Sequence, residues 1–144
     1  RPVEMSKEKI SEIIFESLDS MIVPDNIELI LPKNDTELFC NKKQFSLVIT
    51  NLISNGIQAI DGTGTIEVTV EKNNDVIVIQ VKDSGSGINS RDIDKIFDPL
   101  FSTKQKGTGL GLASVQAIVD AHGGIISVTS PPTIFTITLP QTLE

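Results

Sequence analysis

The sequence predicts a two-layer α/β sandwich, with three helices packed on one face of a mixed, mostly antiparallel sheet. Stretches at about 6–22, 42–60 and 110–121 place apolar residues at helical spacing. Short runs of β-type residues occupy the gaps between them. In the last run Thr136 and Thr138 alternate with Phe135, Ile137 and Leu139, so one sheet face is polar and the other faces a core. A chain of 144 residues is one domain's worth, long enough for a substantial hydrophobic interior.

The elements follow in order. Ile10, Ile13, Ile14, Leu18, Met21 and Ile22 define the first helix, with Ser6 as its expected N-cap and Pro24 beyond its end. Ile27 to Leu31 and Leu38 to Cys40 read as short strands divided by the turn Pro32-Lys33-Asn34-Asp35. The second helix, 42–60, stops before Asp61-Gly62. Strands at 65–71 and 75–82 follow, with Asn73-Asn74 as the hairpin turn. A short helical piece is expected near Ser90 to Ile96. The third long helix runs from about Leu110 to Ala121 and ends at Gly123-Gly124. Ile125 to Thr129 and Ile134 to Leu139 make the final strand pair.

The net charge of −7 argues against a nucleic-acid partner and against direct contact with an anionic membrane surface. There is no apolar run of membrane-spanning length and no signal-peptide pattern. The first residue is Arg1, and residues 1–5 read as the end of a linker, so the chain is expected to be part of a longer protein. This portion is expected in the cytoplasm, and a membrane anchor could lie upstream. Cys40 is the single cysteine, which excludes a disulfide framework, and it reads as a small core residue on a strand.

Three stretches carry chemistry. In the second helix, Asn51, Asn55 and Gln58 fall on one stripe of a largely apolar cylinder. They form either a solvated strip or a face on which Asn55 offers its amide oxygen to a hard cation such as Mg²⁺. In "VKDSGSGI", Asp83 ends a strand with Gly85 and Gly87 just after it. That is an ordinary turn, or a carboxylate able to accept the exocyclic amine of adenine beside glycines that leave room for a flat base. In "GTGLGLA", Gly107, Gly109 and Gly111 open the third helix. They make a flexible loop, or they bare a helix N-terminus to phosphate. The pattern is neither a P-loop nor a dinucleotide fingerprint.

Taken together, these stretches resemble the catalytic and ATP-binding domain of two-component sensor histidine kinases, in the GHKL ATPase superfamily. "NLISNGIQA" (51–59) is similar to the N box, "DSGSG" (83–87) to the G1 box, "FDPLF" (97–101) to the F box and "GTGLGLA" (107–113) to the G2 box. "HGG" (122–124) and "TIFTITLP" (133–140) are similar to that family's last elements.

The resemblance implies a Bergerat-type fold over 6–144, with ATP and Mg²⁺ as cofactors. It makes Asn51 and Asn55 the candidate catalytic residues, Asn55 the metal ligand and Asp83 the adenine-recognising carboxylate. Gly85, Gly87 and Ile88 would line the base pocket. Phe97 and Phe101 would bracket an ATP lid at about 97–109, to which Lys104 or Lys106 adds a cation. Gly107, Thr108, Gly109, Leu110, Gly111 and Leu112 would meet the nucleotide. Asn51 stands where hydrolysing relatives carry a Glu general base; an amide cannot take a proton, so the γ-phosphoryl would be protected from water.

Departures from the family's pattern are Gly56 for the usual Ala, Gln58 for a basic residue and Leu100 for Phe. A further one is the lack of a Gly-x-Gly turn in "SVTSPPTIF", which leaves the place of Thr133 beside the base open. The phosphoacceptor is missing. His122, the only histidine, reads as a C-terminal helix cap. The implied partners are an upstream dimerisation and histidine-phosphotransfer hairpin, for which the first helix offers a docking surface, and, indirectly, a response regulator. The alternatives are a non-catalytic ATP-binding regulatory module, a GHKL ATPase and a serine kinase on the same fold.

Overall fold

The structure, a computed structural model, describes residues 3–99, 101 and 111–141. Its elements are β1 (Ser6–Lys9), α1 (Ile10–Asp19), β2 (Ile27–Ile30), β3 (Glu37–Cys40), α2 (Lys42–Ala59), β4 (Gly64–Asn73), β5 (Val76–Asp83), α3 (Gly111–Ala121), β6 (Ile125–Thr129) and β7 (Thr133–Pro140). The main sheet has the order β2-β4-β5-β7-β6. Only the β2–β4 pair is parallel. A separate two-stranded sheet joins β1 to β3. Three helices on a mixed, mostly antiparallel sheet is the architecture expected from the sequence.

Strand alternation sets the core. Ile66 and Val68 of β4, Ile77, Ile79 and Val81 of β5, and Phe135, Ile137 and Leu139 of β7 are all buried on one face. Against them lies α2, with Phe45, Val48, Ile49, Leu52 and Ile53 buried. Each such side chain contributes about 1.5–3 kcal/mol when withdrawn from water, so α2 anchors the helical layer. Its start is fixed by Asn41, whose side chain accepts a hydrogen bond from the Gln44 amide at 2.9 Å. Cys40 is fully buried, and burial followed by the nearby Glu8 charge pushes its thiol up to about 12, so it is a neutral core residue as expected.

The N-terminal corner differs from expectation. Ser6 to Lys9 is a strand paired with Glu37 to Cys40, and the helix begins at Ile10. Those four residues carry no apolar stripe, so strand pairing overrides their helical propensity. The α1 start is closed by Asp35 instead, whose carboxylate accepts from the Ser11 amide (3.0 Å) and hydroxyl (2.6 Å). The helix also ends early, at Asp19, leaving Ile22 89% exposed. Strands β2 and β3 do not pair with each other, because they belong to different sheets.

Two smaller corrections concern turns. The β4–β5 hairpin turns at Asn74-Asp75, with Asn74 at φ 53°, one residue later than expected. Over 89–101 there is no helix among the described residues. Successive turns close by the bonds of Asp92, Lys95, Asp98 and Phe101 amides to carbonyls three residues back. Only Ile96 of that stretch is buried, so there is no apolar face to stabilise a helix. By contrast, α3 ends as expected: Gly124 donates to Val119, and Gly123, at φ 74°, donates to Asp120.

Candidate functional site

The site is laid out along α2. Asn51 and Asn55 are one turn apart, about 6 Å along the axis, and both are half-buried. Gln58, further along, is exposed. At the next position after Asn55, Gly56 brings the helix hard against the sheet: a Cβ there would lie 3.2 Å from the Asp83 Cβ and 3.0 Å from the Ile66 Cδ1. At the other end, a Cβ on Gly111 would lie 3.4 Å from the Asn51 Oδ1. Thus the first residue of α3 stands over Asn51, while the end of β5 stands beside Gly56. The stripe of amides runs between a buried carboxylate and a helix N-terminus.

Asp83 is 5% exposed. Its Oδ1 accepts from the Gly85 amide at 2.8 Å, which curls the chain into the loop that follows β5. Ser84 is tied to β4 in both directions, donating from its amide to the Thr65 carbonyl and accepting from the Thr65 amide at its hydroxyl. Ser86 donates to the Ala59 carbonyl at 3.1 Å, at the end of α2. Gly85 is there by necessity: a Cβ would fall 2.5 Å from the Ala59 carbonyl oxygen. Gly87 adopts φ 89°, which an L side chain resists. The glycines of this loop are therefore demanded by the backbone, quite apart from any ligand.

Across the sheet from Asp83 lies the start of β7. Thr133 pairs with Asp83 in the strand register and is 4% exposed. Its hydroxyl lies 2.9 Å from that of Ser130, which also accepts from the Ile88 amide at 2.8 Å. Ile88, Phe97, Phe101 and Leu112 are half-buried and pack on the core. Phe97 sits edge-on to Phe135, with ring centroids 6.2 Å apart.

The structure therefore sets Asn51, Asn55, Asp83, Gly85 and Gly111 along one stretch of α2, while Gly87 and Ile88 lie against Ser130 and Leu112 packs on the core. Lys104, Lys106, Gly107, Thr108, Gly109 and Leu110, with most of the expected lid, lie outside the described residues. Sequence reasoning left Thr133 open and did not raise Ser130. For Thr133 a signal existed: it falls on the inward parity of Phe135, Ile137 and Leu139, where a polar residue needs a reason. For Ser130, a serine in a turn, there was none.

His122 is used structurally, as expected of a helix cap. Its Nε2 accepts from the Asn41 amide at 3.0 Å, so its Nδ1 carries the proton and donates to the Ile118 carbonyl at 2.8 Å. The ring is 6% exposed and stands edge-on to Phe45 at 5.0 Å. Both nitrogens are occupied, so neither keeps a free lone pair.

Comparisons with known proteins show the family and the fold. A family described as histidine kinase-, DNA gyrase B-, and HSP90-like ATPase matches residues 40–143. Sensor histidine kinase ZraS of Escherichia coli (strain K12) is 44% identical over 119 residues, covering 79% of this chain and 26% of that protein. The chain thus spans about a quarter of the length of that curated relative. The catalytic domain of histidine kinase ThkA, in a nucleotide-free form, superposes with a TM-score of 0.84 at 31% identity, covering 96% of this chain and 99% of that one. ThkA in complex with response regulator protein TrrA superposes at 0.79 and 28% identity, covering 97% of this chain and 42% of that one.

Proposed function

The chain belongs to the histidine kinase-, DNA gyrase B- and HSP90-like ATPase family, as a catalytic ATP-binding domain of the sensor histidine kinase kind, and from that premise we propose how its residues work. It holds ATP and presents the γ-phosphoryl group to a histidine on a dimerisation hairpin that this sequence does not include. The phosphoryl group then passes to a response regulator. One observation carries the reading: Asp83 and Gly111 stand at the two ends of a single stretch of α2, with Asn55 and Asn51 between them.

Asp83 accepts the exocyclic amine of adenine on its carboxylate, and Gly85 and Gly87 leave the base a side-chain-free wall. Ile88 packs on the ring. At the other end the N-terminus of α3, at Gly111 and Leu112, offers amide N–H groups and the positive end of the helix dipole to phosphate oxygens. Asn55 would hold Mg²⁺ through its amide oxygen, and the bound ion supplies charge neutralisation at the phosphates. The fit is chemical: an amide oxygen suits a hard cation that takes few protein ligands, and no cluster of three or more His, Cys, Asp or Glu stands among the described residues to bind a metal another way.

Asn51 faces the same helix start and is neutral. It can orient a phosphate or a water by hydrogen bonding, and it cannot deprotonate one. An incoming neutral imidazole needs no such base. Its nitrogen lone pair forms the N–P bond as the bridging P–O bond breaks and ADP leaves, so positioning and charge stabilisation suffice. The acceptor is a histidine other than His122, whose ring is committed to the Asn41 amide and the Ile118 carbonyl. In this reading the domain works in the cytoplasm; among the described residues no helix is long and apolar enough to cross a membrane.

The test joins the chain to its upstream hairpin and supplies γ-labelled Mg-ATP. Acid-labile, base-stable label is expected on the hairpin and is expected to disappear with Asn55→Ala. Protein that binds ATP and takes up no label would instead favour the non-catalytic regulatory module, a reading that Gln58 in place of a basic residue supports.

A further inference from the structure

We infer that Ser130 is a positioning residue of the nucleotide site, setting the base pocket through Ile88 and Thr133; this rests on the nucleotide reading above and deepens it. The proposed base pocket has two walls that continue past Asp83 and Thr133, the last pair of the β5–β7 register. One is the loop after Asp83, and the other is the turn between β6 and β7. The loop is fastened on its α2 side by the Ser86–Ala59 bond and on its β4 side by the Ser84–Thr65 bonds. Beyond Gly87 the fastening changes partner, and the Ile88 amide bonds to the Ser130 hydroxyl at 2.8 Å.

Ser130 also lies close against the turn itself: a Cβ on Gly87 would be 3.1 Å from its Oγ. The same Oγ is 2.9 Å from the Thr133 Oγ1. A serine hydroxyl has one proton and two lone pairs. The Ile88 N–H takes one lone pair, which leaves the proton and the second lone pair for Thr133. Thr133 is buried directly across the register from Asp83, so the two side chains share one face of the sheet on neighbouring strands. One side chain therefore fixes both the height of the Gly87–Ile88 wall and the direction of the Thr133 hydroxyl. A glycine or alanine at this place can do neither.

The experiment titrates Mg-ATP into the 144-residue chain and its Ser130→Ala and Ser130→Thr variants by calorimetry, with melting of each nucleotide-free protein alongside. Ser130→Ala is expected to weaken ATP binding about tenfold, the scale of one lost hydrogen-bond link. Its melting temperature should stay within a few degrees of wild type. Ser130→Thr keeps the hydroxyl and should retain ATP affinity within about twofold. Unchanged affinity in Ser130→Ala overturns the inference while leaving the nucleotide reading intact. So does a loss in Ser130→Thr as large as in Ser130→Ala, since shape rather than the hydroxyl would then matter. A wild-type chain that binds no ATP overturns the nucleotide reading and this inference together.

Discussion

At the proposed base end, Asp83 is 5% exposed and the loop behind it is tied at Gly85, Ser86 and Ile88. At the phosphate end, Asn51 and Asn55 stand half-buried on one side of a helix, with the first residue of another helix above them. The proposed base end is thus held by its own hydrogen bonds, so a planar ligand would meet groups already in place. The phosphate end consists of two amides and a helix terminus, groups whose value lies in what they do to a charged ligand. Such a division suits the proposed function, in which the nucleotide is held and its phosphoryl group is committed only when a nucleophile is delivered.

The largest expected effect breaks the base end. Asp83→Asn keeps an oxygen for the Gly85 amide and sets an NH₂ group where adenine brings its own donor. Two facing donors in a buried site should cost roughly 100-fold in ATP affinity with little change in melting temperature. Calorimetry on folded variant protein checks this. Affinity within a few-fold of wild type would mean that the carboxylate does not read the base, and the comparison would lose its first half.

A middle-sized effect tests the phosphate end. Asn51→Glu places a carboxylate beside the start of α3, where water next to the γ-phosphate could be deprotonated. ATP hydrolysis by the chain alone should rise by at least about tenfold, since positioned general bases contribute that much or more. A phosphate-release assay reads it directly. No rise, in protein that still binds ATP, would show that Asn51 does not stand at the reacting phosphate.

Legibility followed the same division. The proposed phosphate end rests on side-chain identity and helical spacing: Asn51 and Asn55 are polar residues on a largely apolar helix, and the face they share follows from 3.6 residues per turn. The base end was read only in part. Asp83 and its glycines were visible as a motif, whereas the Ser130 link is a contact between residues 42 apart, which no local pattern encodes. The same limit explains the N-terminal corner. Helix 1 was found by its Ile10, Ile13 and Ile14 spacing, but its true start depends on Asp35, 24 residues downstream of Ser11. Ser6 looked like a cap because its type fits; strand pairing with Cys40 decided otherwise. Sequence patterns located what periodicity governs, and long-range hydrogen bonds governed the rest.

The smallest expected effect lies where the two ends meet. Gly56 separates Asn55 from Asp83, and alanine there would bring a methyl group 3.2 Å from the Asp83 Cβ and 3.0 Å from the Ile66 Cδ1. The helix gains about 1 kcal/mol from replacing an interior glycine. Displacing the tip of Ile66 offsets much of that, because a side-chain end can turn aside in a packed core at modest cost. Net stability should therefore stay within about 1 kcal/mol of wild type in urea unfolding. The Asp83 Cβ cannot turn aside, since it is carried by the strand backbone, so the carboxylate shifts and ATP affinity falls by about threefold. If instead the protein gains the full helix contribution and binds ATP as before, the base end tolerates movement of its carboxylate. The contrast between a base end fixed by its own hydrogen bonds and a phosphate end of two amides and a helix terminus would then have to be redrawn around Ser130 and Thr133 alone.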